Sequence, residues 1–166
     1  MQRTKGILVA LVALLLLLPA AARAQQKGME ITTVSEVEVK QKNAEGKEEV
    51  KRIDATKTQV LPGQTVFYTN YYSYNGDQPA TNVAIKNPIP EHMVYVDGSA
   101  QGKGTRIEFS VDNGKTFQAA GKLLIKDKSG KERAATAADY TTIRWTIEKQ
   151  LVKGAKGNVT FSARVK

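Results

Sequence analysis

Residues 158–166 read NVTFSARVK, and Val159, Phe161, Ala163 and Val165 alternate there with Thr160, Ser162, Arg164 and Lys166. An extended chain turns successive side chains to opposite faces, so this stretch predicts a strand with one buried and one wet face. The same period recurs in TIRWTIE (142–148), where Ile143, Trp145 and Ile147 share a side, and in TRIEFSV (105–111), with Ile107, Phe109 and Val111. Trp145, in the middle of its alternating run, is expected to be the central core residue. After residue 24 no window sustains an apolar stripe at helical spacing; KERAATAADY (131–140) is the one short candidate, and it is read as a loop.

Turn signals punctuate these runs: NAEGK (43–47), PG (62–63), NGD (75–77), NPIP (87–90), DG (97–98), DNG (112–114), SGK (129–131) and KGAKG (153–157). Between them lie eight or nine short strands. That pattern predicts an all-β chain, an immunoglobulin-like antiparallel β-sandwich. EVEVKQKNAEGKEEVKRI (36–53) reads as a charged hairpin at an exposed edge, since edge charges discourage open-ended pairing with other chains.

The first 24 residues carry a different signature. Arg3 and Lys5 precede an unbroken apolar run of 12 residues, Ile7 to Leu18, and Ala22-Arg23-Ala24 has the small-x-small form of a signal peptidase site. The run is shorter than the roughly 20 residues a bilayer span needs. Residues 1–24 are therefore expected to be a cleaved signal peptide, with no transmembrane segment afterwards and the protein exported to the periplasm, the outer envelope or the extracellular space. The mature chain would divide into 25–54, an N-terminal strand and charged hairpin that are part of the sandwich or flank it, and 55–166, the main sandwich. With no cysteine in the chain, neither a lipid anchor nor a disulfide framework is available, and stability must come from an apolar core.

Charge narrows the partner. Without Arg3, Lys5 and Arg23 the chain keeps 22 basic residues against 16 acidic ones, a net charge of +6. The two signs are interleaved along the sequence, which favours solubility and weak attraction to anionic surfaces over specific nucleic-acid binding. An envelope or extracellular protein, or an anionic polymer, is the partner expected.

QTVFYTNYYSYNG (64–76) is the aromatic-rich stretch. Val66, Tyr68, Tyr72 and Tyr74 share one parity and Phe67 and Tyr71 the other, so the first set is read as packing and the second as surface. Phe67, Tyr71 and Tyr74 are nonetheless the candidate ligand-contact aromatics, because three rings could form the stacking platform of a carbohydrate-binding module.

The longer stretch LPGQTVFYTNYYSYNGDQPATNVAIKNPIPEHMVYVDGSA (61–100) resembles the bacterial cell-surface repeat family called domain of unknown function eleven. The features that carry the resemblance are Pro62-Gly63, Val66, Tyr68, Asn75-Gly76, Pro79-Ala80, Asn82-Val83, Ile89-Pro90 and Tyr95-Val96-Asp97-Gly98-Ser99. Later come Ile143-Arg144-Trp145, Leu151, Gly154, Gly157 and Val159-Thr160-Phe161. It covers roughly residues 55–166. The resemblance implies an immunoglobulin-like sandwich of exported or envelope proteins, often in tandem copies, with no catalytic role. This chain departs from it in holding a single copy, and in placing Asn87-Pro88 where many members carry an aspartate before Leu-Pro.

Other constellations point to structure. His92, the only histidine, sits beside Glu91, but neighbours on a strand face opposite ways and no nucleophile motif accompanies them. SVDNGKTF (110–117) looks like the Asp-box of sialidase-type propellers, a hairpin-stabilising device, and predicts a turn at Asp112 to Gly114. Asp97-Gly98 and Asp112-Asn113-Gly114 are isolated turns, not a calcium loop. Lys57 and Asn158 are of the types that join in the isopeptide bonds of some surface sandwiches, but nothing in the sequence brings them together. No enzymatic activity, catalytic residue, cofactor or metal is expected.

Overall fold

The computed structural model describes residues 28–166; the expected signal peptide, 1–24, lies outside them. Eleven strands follow one another: Met29–Lys42 (β1), Glu48–Asp54 (β2), Thr65–Tyr74 (β3), Ala84–Pro88 (β4), Met93–Tyr95 (β5), Gln101–Gly102 (β6), Thr105–Ser110 (β7), Leu124–Lys126 (β8), Glu132–Ala134 (β9), Thr142–Ile147 (β10) and Ala155–Val165 (β11). The surplus over eight or nine consists of pieces two or three residues long, too short for a period to register in sequence.

All pairings are antiparallel. The larger sheet runs β2-β1-β3-β11-β5, with β6 also beside β11; the smaller runs β4-β10-β7, and β8-β9 forms a separate hairpin. Alternation decides which faces meet. From β10 come Ile143, Trp145 and Ile147, from β11 Val159, Phe161 and Ala163, and from β3 Val66 and Tyr74, all buried. The Trp145 ring lies 6.0 Å from Phe161 across the two sheets, and Tyr68 stacks on Phe161 at 4.7 Å. A second aromatic group, Tyr95, Phe109 and Tyr140, closes one end, with Phe109 and Tyr140 stacked at 4.4 Å. Full burial of one such side chain stabilises by about 1.5–3 kcal/mol, so these rings dominate the core.

The charged hairpin is present: Glu36 to Lys42 of β1 pair with Glu48 to Asp54 of β2. β1 also runs further toward its N-terminus, where Met29 to Val37 pair with β3. Residues 29–54 thus belong to the larger sheet. The segment 131–140, read as a loop, holds β9 and a 3-10 turn, Ala137–Asp139. There the Asp139 carboxylate accepts from the Thr136 main-chain N–H and hydroxyl and pairs with Arg133 at 2.7 Å. Among the described residues no helix is long and apolar enough to cross a membrane.

Candidate functional site

The register of β3 sets out the exposed face of the larger sheet. Phe67 lies opposite Glu36 of β1 and Ser162 of β11, Thr69 opposite Val34 and Thr160, Tyr71 opposite Thr32 and Asn158, and Ser73 opposite Glu30 and Lys156. Phe67, Thr69, Tyr71 and Ser73 share the parity opposite to the buried Val66, Asn70 and Tyr74, so they form the outer face. Tyr71 is 51% exposed at its centre.

Arg52 of β2 reaches across β1 to this face. Its guanidinium carbon sits 3.8 Å above the centre of the Phe67 ring, while Nε and Nη2 both donate to Glu38 at 3.2 Å. The carboxylate fixes the cation over the ring, a cation–π contact that covers one side of Phe67. Beside it lies a cavity of about 290 Å³ lined by Arg52, Phe67, Thr69, Gln101, Thr160 and Ser162.

Tyr74 corrects the candidate set. It is only 4% exposed, and its hydroxyl donates to the Gln78 carbonyl. Three positions separate it from Tyr71, an odd number that sends the two rings to opposite faces. A platform of Phe67, Tyr71 and Tyr74 is therefore not assembled. Phe67 and Tyr71 do share a face, about 13 Å apart along the strand, and Arg52 already caps one of them. Tyr71 is left as the open ring.

The Asp-box forms its turn. The Asp112 carboxylate accepts from the Ser110 hydroxyl at 2.6 Å, the Thr116 hydroxyl at 2.6 Å and the main-chain N–H groups of Lys115 and Thr116. Asn113 and Gly114 both take positive φ, 58° and 81°, as a tight hairpin turn requires. The hydroxyls of Ser110 and Thr116, followed by the Thr116 N–H, hold Asp112 well below the usual carboxylate range. A carboxylate so saturated with donors organises the loop.

Glu91 and His92 are exposed, and their main-chain carbonyls accept from Lys166. Lys57 is 80% exposed and lies 4.0 Å from Asp54, while Asn158 projects beside Tyr71. No cluster of three potential metal ligands occurs among the described residues.

Two features escaped the sequence reading. On the outer face of the smaller sheet, Phe117 lies under Arg144 at 4.2 Å and Lys86 at 5.2 Å, with Arg144 paired to Glu108 at 2.8 Å. At one edge of the sandwich Lys103, Lys149 and Lys156 converge on a cavity of about 330 Å³ with Tyr72, Gly157 and Asn158. Interleaved along the chain, these lysines are gathered by the topology. Only the outward parity of Arg144 was visible beforehand.

No family model matches the chain, and no curated protein or solved structure matches it either.

Proposed function

We propose that the chain is a non-catalytic, exported interaction module of immunoglobulin-like sandwich type, working in the bacterial envelope or outside the cell. The observation that carries this reading is the outer face of the larger sheet, where Tyr71 is half exposed between Thr32 and Asn158 and Arg52 is fixed over Phe67. An exposed tyrosine, with an arginine fixed on a phenylalanine elsewhere on the same face, presents residue types enriched in protein interfaces. Export is supported by the short basic segment, the apolar run and Ala22-Arg23-Ala24. The surface-repeat resemblance of residues 55–166 points to the same compartment and architecture.

A carbohydrate-binding reading rests on Tyr71 alone, whose cross-strand neighbours Thr32 and Asn158 offer hydroxyl and amide groups beside one open ring. It calls for loss of glycan binding in Tyr71→Ala.

A photo-crosslinking residue at position 71, compared with one at Leu124, tests the interaction module. Leu124 is 61% exposed on the separate β8-β9 hairpin. The expected outcome is an envelope or extracellular protein or polymer captured at 71 and not at 124, by a chain whose intact mass begins at Gln25. Equal capture at both sites, or a cytosolic protein retaining Met1 to Ala24, would overturn the reading.

A further inference from the structure

We propose that the lysine-lined cavity binds a tetrahedral oxyanion, a phosphate or sulfate group carried on an anionic polymer. The proposal goes beyond the outer-face reading and does not depend on it. Lys103 stands in the turn between β6 and β7, Lys149 in the connection from β10 to β11, and Lys156 on β11 itself. Main-chain bonds hold these segments together. The Glu148 N–H donates to the Gly104 carbonyl at 3.0 Å, Gly102 pairs with Val159, and the Gly154 N–H donates to the Tyr74 carbonyl at 2.7 Å. The anchor points of the three long side chains are thus fixed before any ligand arrives.

The charge there is not neutralised within the fold. No carboxylate lines the cavity, and none of the three lysines enters an ion pair among the described residues. The neighbouring Lys153, by contrast, is paired with Asp77 at 2.7 Å. Residues 1–27 hold no aspartate or glutamate, so no side-chain carboxylate can come from there. Three like charges lining one concavity attract a multiply charged anion and concentrate it at the site.

Neutral donors complete the set. On the β6 side, Ala155 to Asn158 have no strand partner among the described residues, because β6 meets β11 only at Val159 and Thr160. Alternate residues of a strand turn their main-chain groups to that side, which leaves N–H groups open to a ligand. Gly157 matters here because a Cβ at that position would overlap the Tyr72 ring, which packs across the glycine and brings its phenol to the cavity. Lysine ammoniums are point charges with rotatable donors, suited to an oxyanion approached from several directions; a planar carboxylate is matched better by an arginine fork. Lys156 and Asn158 lie on the outer face beside Ser73 and Tyr71, so a polymer held at the cavity has an open path along the sheet.

The test is a titration of the ¹⁵N-labelled protein, as purified from the cell, with inorganic phosphate, sulfate and a short polyphosphate at constant ionic strength. Saturable shifts are expected at the amides of Lys103, Gly104, Lys149 and 156–158, with polyphosphate the tightest ligand. For three neutralised charges, a fourfold rise in salt should weaken polyphosphate binding roughly 20-fold. Lys103→Gln/Lys149→Gln/Lys156→Gln should lose about tenfold or more in affinity. Lys122→Gln/Lys126→Gln/Lys128→Gln, of equal net charge, should stay within about twofold, and both variants should melt as the parent does. Sulfate acting like phosphate supports a tetrahedral oxyanion site, and a preference for phosphate narrows it. Shifts spread over all surface lysines, equal losses in the two triple variants, or polyglutamate binding as tightly as polyphosphate would overturn it.

Discussion

Trp145 has no exposed surface and lies between Ile85 of β4 and Ile107 of β7, facing Phe161 of the other sheet. Truncating such a residue leaves a void that close packing cannot refill, at a cost of about 3–5 kcal/mol, a large share of the roughly 5–15 that holds a domain together. Trp145→Ala should therefore unfold at much lower urea. Trp145→Phe should be milder, because the indole N–H finds no acceptor among the described residues and its removal offsets part of the lost volume. An emission maximum typical of exposed indole in the native protein would refute the placement. Alternation made this residue legible, and it made Tyr74 legible too: the parity that buries Val66 buries Tyr74, so its place among exposed candidates contradicted the pattern of its own strand. Asn70 was not legible. Its carbonyl oxygen accepts from Thr33 of β1 at 2.7 Å and from Asn87 of β4 at 3.0 Å. A period of two says which way a side chain points, not whether distant partners await it there.

Among the elements, the turn after β7 was the most completely readable, because its chemistry is local. Ser110, Asp112 and Thr116 satisfy one another within seven residues, and the Gly114 N–H also donates to Ser110 Oγ at 2.9 Å. Asp112→Ala strips the acceptor from Lys115 and Thr116 at once, while leaving the β7-β10 ladder intact. Amide exchange at Lys115 and Thr116 should accelerate strongly while that of Trp145 changes little. Unaltered protection at 115 and 116 would mean that Asp112 does not organise the turn. The charged hairpin was likewise read from local pattern. That β1 continues past it to pair with β3 was hidden, because Glu30 to Val34 are exposed on both faces of the sheet, Ile31 at 48%. A half-covered strand has no clean alternation to detect. The lysine cavity was hidden for the opposite reason. Lys103 and Lys156 meet only because β6 pairs with β11, a contact that no local pattern encodes.

For the molecule as a whole, the titrating groups set the pH range of the fold. Asp54, Asp112, Asp127 and Asp139 are all lowered, chiefly by side-chain hydrogen bonds from Thr56, Ser110, Ser129 and Arg133 respectively. A carboxylate lowered in the native state contributes stability that is present above its unfolded value of about 3.9 and lost as pH falls toward its native value. Acid therefore removes several contributions together, and protonating the 16 acidic side chains leaves a strongly cationic chain that repels itself. Tyr68 and Tyr95 lie on the other limb, since burial raises both phenols. A phenol raised in the native state stabilises fully below its unfolded value of about 10, and that contribution disappears as pH climbs through the native value. Urea midpoints across pH should thus form a plateau near neutrality that falls below about pH 4 and again above about pH 10. Tyr68 faces the core against Phe161 and its hydroxyl contacts the Met93 sulfur at 3.1 Å, so Tyr68→Phe keeps the ring packing while deleting one ionisation. The alkaline fall should become shallower in that variant with the acid limb unchanged. An alkaline limb identical to the parent's, or stability that rises as pH drops toward 3, would show that these buried phenols and donor-saturated carboxylates do not set the limits of the fold.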